Sequence, residues 1–270
     1  MPAFSLLHGG HPVTWSAWHF EPSIIAGALL AFALYTWGVR TTPPVDLKRA
    51  ASFVAGTLLL FLALTSPLDA GADRLLSLHM LQHIALTTFG PPLILLGLPQ
   101  GMAQRYLRST PVRGVLSALS QPFLAAAIFI VHMWLWHVPP LYEAALDHQT
   151  VHIAMHLGFM ATGLLFWWPV IQPSALGPGL SHEGRLLYLF ITGFPMAILA
   201  LALLATPTVI YDHYALSPRL WGISALADQQ VAGAIMGLVG DSASFIAFSL
   251  LFVRVMSGDD QPAPATTNRR

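Results

Sequence analysis

Cysteine is absent from the 270 residues, which removes disulfides, thiolate metal sites and cysteine nucleophiles together. Charge is scarce too. Only 9% of residues are Asp, Glu, Lys or Arg, against about a quarter in soluble domains. The formal net charge is zero, so no basic field exists to hold nucleic acid, which is excluded as a partner. The opening MPAFSLLHGGHPVTWSAWHFEP lacks the basic start and small-residue cleavage site of a signal peptide. Residues 1–22 read as an outer segment leading into the first helix.

Apolar residues fill the gap. They make up 55% of the chain and come in runs of about twenty, long enough to cross the ~30 Å hydrocarbon layer of a lipid bilayer. Seven runs are read: Ser23–Val39, Ala50–Ser66, Leu75–Leu98, Leu119–Val138, Val151–Ile171, Gly184–Ala205 and Gln229–Met256. Proline marks most of the breaks between them; Pro91-Pro92 and Pro195 fall inside runs, where a kink is expected. The expected fold is all-α, a polytopic transmembrane bundle of about seven helices over residues 23–256. The polar tail over 257–270 is expected to be disordered.

Lys and Arg prefer cytoplasmic loops. Ten of the twelve basic residues fall on one side: Arg40, Lys48, Arg49, Arg105, Arg108, Arg113, Arg185, Arg254, Arg269 and Arg270. Only Arg74 and Arg219 fall on the other. The expected orientation has the N-terminus outside and the C-terminus in the cytoplasm.

The twelve histidines follow the opposite bias. Only His182 falls in an expected cytoplasmic loop. His8, His11 and His19 precede the first run without fixed spacing and read as solvated residues; His213 lies in the last outer loop. His79 and His83 open the third run, His132 and His137 close the fourth, and His148, His152 and His156 lead into the fifth. At 1.5 Å per residue, His83, His132 and His156 lie roughly 9–12 Å deep, and His79, His137 and His152 within about 6 Å of the surface. Two layers of three imidazoles are expected if those helices pack together. The pairs His79/His83 and His152/His156 are four apart and share a helix face, whereas His132 and His137 diverge by about 140° in a regular helix. One of that pair serves another purpose unless Pro139-Pro140 distorts the helix end.

Imidazole suits copper, zinc and iron, and thioether sulfur favours Cu(I). His79-Met80, His132-Met133 and Met155-His156 place the two ligand types side by side. Single membrane histidines and methionines are also ordinary packing residues. Two i,i+4 histidine pairs at one end of the membrane point instead to a metal or haem site. Asp228 and Gln229, at the outer entrance of the last run, are candidate hydrogen-bond partners for the imidazoles. Gly233 and Gly237 form a helix-packing notch, and Asp241 lies mid-span as a proton or ion group or a hydrogen-bonded structural one.

The stretches SPLD (66–69), HMLQHIALTTFGPPLILLGLP (79–99), WHVPPLYEAALDHQTVHIAMH (136–156), FWWP (166–169) and DQQVAGAIMG (228–237) resemble the CtaG family. These are seven-helix bacterial membrane proteins needed for assembly of haem–copper cytochrome c oxidase. The resemblance implies a multi-pass protein of the bacterial inner membrane, with oxidase subunits in the membrane as partners. It implicates His79, Met80, His83, His137, His152 and His156 as metal-site residues, with Asp228 and Gln229 beside them. His132 and His148 rest on spacing alone. The resulting expectation is an assembly factor that binds or delivers copper at an outward His/Met site. A haem-binding redox protein and a transporter or channel are the alternatives. No nucleophile–base pair appears, so no enzyme is expected.

Overall fold

A computed structural model describes residues 14, 16–41, 45–99, 102, 111–172 and 179–257. His8, His11, Arg105, Arg108 and the tail from Gly258 onward lie outside the described residues. Among those described, all regular structure is helical. The first two long helices are α1 (Pro22–Thr41) and α2 (Leu47–Thr65), followed by the short α3 (Pro67–Ala72). The third span is α4 (Leu76–Ile84), a wider π segment over Ala85–Phe89, and α5 (Gly90–Gly97). Next come α6 (Pro111–Leu119), α7 (Pro122–Trp136), α8 (Pro139–Asp147) and α9 (Gln149–Ile171). The chain closes with α10 (His182–Ala205), α11 (Asp212–Leu216), α12 (Ala225–Ile235), a second π segment over Met236–Gly240, and α13 (Ser242–Met256).

Local chemistry sets these limits. Asp46, Ser66, Ser181 and Ser224 each accept a backbone N–H from the first turn of the helix that follows, the role short polar side chains play at helix starts. Pro67, Pro122 and Pro139 stand in first turns, where a missing N–H costs nothing.

Six helices are long and apolar enough to cross a membrane, and a seventh span exists if α6 and α7, bent by 75° at Ser120-Gln121, count as one. The fourth span therefore departs from the expected continuous Leu119–Val138. Gln121 takes an extended ψ ahead of Pro122, because the proline ring crowds out the helical conformation of its predecessor. Elsewhere the seven expected runs coincide with helices to within a few residues. Large apolar side chains such as Leu29, Phe123, Phe190, Phe194, Leu238 and Phe245 point out of the bundle, as lipid-facing residues do. The third span is central: 61% of it is buried, against 11% for the first and the last.

Close packing relies on glycine at a few crossings. A Cβ on Gly233 would lie 2.6 Å from the Leu204 nitrogen and 2.8 Å from the Ala200 oxygen, both backbone atoms of α10. Gly237 makes only an ordinary contact there, at 3.4 Å from the Ala200 Cβ, so Gly233 is the tight half of the notch. Gly233→Val is expected to push α10 and α12 apart at a cost of about 1–3 kcal/mol, read as a lower thermal midpoint in detergent. An unchanged midpoint would mean that the helices do not meet at this glycine.

Candidate metal centre

The third span and α9 carry their histidine pairs at i,i+4 spacing, and packing turns both pairs toward each other. His79, His83, His152 and His156 are all buried, at 1–9% exposure. Ring centroids are 4.2 Å apart within each pair and 5.3 Å between His83 and His156. His79 lies 5.4 Å from His152 and 6.1 Å from His156. The Nε2 atoms of His152 and His156 face each other at 3.1 Å. One ring nitrogen from each of His79, His83 and His156 lies within 4.8 Å of the others. Metal–nitrogen bonds of about 2.0–2.1 Å hold ligand atoms at most about 4.2 Å apart. Side-chain adjustments of under about an ångström would close this trio on an ion.

His83 stands out chemically. Both its ring nitrogens are buried without a hydrogen-bond partner among the described residues. Leaving a buried polar group unmatched costs about 1–3 kcal/mol, a cost that a ligand to His83 would offset.

Tyrosines fix the cluster from outside the spans. His79 Nδ1 lies 2.7 Å from the Tyr214 hydroxyl and 3.1 Å from that of Tyr142. The Tyr214 hydroxyl also donates to the Ala72 carbonyl at 3.0 Å. Burial, reinforced by neighbouring tyrosines, holds the Tyr142 phenol well above its usual range; burial does the same for Tyr214. Both therefore keep their protons. With the Tyr214 proton directed at Ala72, His79 Nδ1–H donates to the Tyr214 oxygen and leaves the lone pair on Nε2, the tautomer a metal ligand requires. Arg219 in turn donates to the carbonyls of Tyr214 and Ser217, closing the end of α11. His213 Nε2 bonds the Asp73 carbonyl at 3.0 Å.

The expected two layers of three imidazoles do not form. The cluster is four rings from two helices, α4 and α9. His132 is separated from it by Phe159, which packs against His132 on one side at 5.1 Å and against His83 on the other at 4.5 Å. The His132 ring instead lies over Gly158. His137 caps α7, bonds the Met133 carbonyl through Nδ1 at 2.7 Å and shares a cavity with His83 and Met80. The five-residue spacing thus splits the pair, with His137 the member turned toward the centre. His148 caps the start of α9 through its backbone.

Asp228 and Gln229 make their hydrogen bonds away from the imidazoles, which corrects the expectation for both. The Asp228 carboxylate accepts from the Leu76 and Ser77 N–H groups at 2.7 and 3.2 Å and from the Ser77 hydroxyl at 2.5 Å. It caps α4, the helix that carries His79 and His83. Gln229 bonds the Ile210 N–H and the Thr208 carbonyl, pinning the loop that leads to the tyrosines. Their part is to position the helix and loop that carry the site.

Residues that sequence reasoning passed over complete the surroundings. Gln82, inside the HMLQH block, donates to Asp69 at 2.7 Å and to the Ala63 carbonyl at 2.9 Å. Asp69, the acid of SPLD, lines a cleft of about 60 Å³ with His19, Glu21, Gln149, His152 and His156. His19, read as solvated, is exposed and also borders this cleft. The histidine and acid content of these two motifs was a signal available for Asp69, whereas nothing marked Tyr214.

Among known proteins, the chain is 27% identical over 247 residues to an uncharacterised protein of Mycobacterium bovis and to one of Mycobacterium tuberculosis. It is 26% identical over 246 residues to an uncharacterised protein of Mycobacterium leprae. Each match covers 82% of this chain. It covers 36% of the first two relatives and 37% of the third, so the chain spans little more than a third of the curated relatives it matches. No solved structure matches it significantly. The family match runs over residues 30–257 and takes in all four clustered histidines, and by it the chain belongs to the cytochrome c oxidase caa3 assembly factors, Caa3_CtaG.

Proposed function

We propose that this assembly factor is a non-enzymatic protein of the plasma membrane that holds copper at the imidazole cluster and supplies it to haem–copper oxidase during assembly. The observation that carries the reading is the convergence of His79, His83 and His156, with both nitrogens of His83 buried and unmatched. Imidazoles without thiolates bind Cu(I) loosely enough for exchange. Arg49 bonds the Leu96 and Leu98 carbonyls at the end of the third span opposite His79, and the charge bias favours the outer side for the cluster. The polar cleft of His19, Glu21 and Asp69 would be the way in from water.

Haem is the weaker reading. Two imidazoles ligating one haem face each other across the porphyrin, while these four rings pack edge to face or tilted at 4.2–6.1 Å. Copper analysis after anaerobic Cu(I) loading and desalting tests the proposal. Wild type should retain copper, and His83→Ala/His156→Ala should lose at least about tenfold of it. Equal and negligible copper in both proteins would sink the copper site.

A further inference from the structure

Beside the cluster lies a second cavity with a different chemistry. Met80 of α4, Met133 of α7, Met196 of α10 and Met236 of the second π segment line one cavity of about 60 Å³ together with His83 and His137. Four of the chain's nine methionines thus converge from four segments that are far apart in sequence.

A methionine used for packing bends to fill a gap, and interiors hold few voids larger than water. Here four methionines line open space several times the roughly 10–15 Å³ that one water-sized probe needs. Two of its lining side chains carry buried ring nitrogens without a hydrogen-bond partner: both nitrogens of His83, and Nε2 of His137, whose Nδ1 is fixed on Met133. These side chains are 3% and 7% exposed. Soft thioether sulfur with imidazole is a donor set for Cu(I) rather than for hard cations.

The far side of the cavity leads outward. Gly193, Asp241 and Ser244 line it and also line a groove of about 430 Å³ on the lipid side of α10 and α13, walled by Phe190, Phe194, Phe245 and Phe248. The Cβ position of Gly193 meets nothing within 4 Å, so the boundary between cavity and groove is open at that point.

We infer that this cavity is a second Cu(I) position, with the sulfurs of Met80, Met133, Met196 and Met236 and the His83 or His137 imidazole as its donors, staging the ion between the histidine cluster and the lipid-facing groove. It rests on the copper reading of the cluster. His83 borders both positions, so an ion changes partners on one side of that ring without leaving the protein.

The test is copper K-edge X-ray absorption on the full chain in detergent, loaded anaerobically with excess Cu(I)–acetonitrile and desalted. Wild type should retain about two equivalents, with nitrogen and sulfur shells both present. Met133→Leu/Met196→Leu/Met236→Leu, close to isosteric, should retain about one equivalent and lose most of the sulfur shell. One wild-type equivalent with nitrogen scattering alone would overturn the second position and leave the cluster standing. So would an undiminished sulfur shell in the leucine variant. No retained copper at all would remove the cluster reading, and this inference with it.

Discussion

Asp228→Ala should abolish the stable fold. The carboxylate is 1% exposed and accepts three hydrogen bonds from the first turn of α4. Each donor orphaned in the interior costs about 1–3 kcal/mol, and the loss of charge at a helix N-terminus adds a further fraction. The total, on the order of 3–9 kcal/mol, rivals the whole stability of many proteins. The expected result is aggregation or a collapsed yield in size-exclusion chromatography. Asp228→Asn, which keeps one acceptor oxygen but sets an amide donor against the remaining donors, should be purifiable with a lower thermal midpoint. A wild-type midpoint for Asp228→Ala would show that α4 does not depend on this cap. The effect reaches the histidine cluster because His79 is one turn along the same helix.

That role could not be read in the sequence. Asp228 lies about 150 residues from the turn it caps, and hydropathy reports on one helix at a time. The same limit explains the other departures. The i,i+4 spacing correctly paired His79 with His83 and His152 with His156, because side chains four apart share a face whatever surrounds the helix. It could not say how α7 is rotated, so His132 entered a layer from which Phe159 excludes it. The position of each histidine along its helix was legible in the sequence, and rotation about each axis was not. The two π segments, Ala85–Phe89 and Met236–Gly240, likewise left no periodic trace. They border the methionine cavity, and π bulges often mark functional sites. The proline breaks were more informative: the spans end close to where they predicted, and Pro122 marks the unexpected bend.

The family match places the chain among the cytochrome c oxidase caa3 assembly factors, and the copper reading is our proposal for what it contributes. If the cluster supplies copper, removing its central imidazole should leave the oxidase polypeptides and haem in place but starve the metal centres. His83 is the ring with most to lose, since it borders both the three-histidine group and the methionine cavity. An alanine there deletes a ligand without touching the Asp228 cap or the Tyr214 contact, so the protein should still accumulate in membranes.

The deciding measurement is the copper-to-haem ratio of oxidase purified from cells whose copy of this protein carries His83→Ala, compared at equal membrane levels with the wild type. The account expects haem to be retained and copper per haem to fall by about tenfold or more, the scale of loss when a metal site is disabled. Oxidase with its full copper complement from the His83→Ala cells would contradict it.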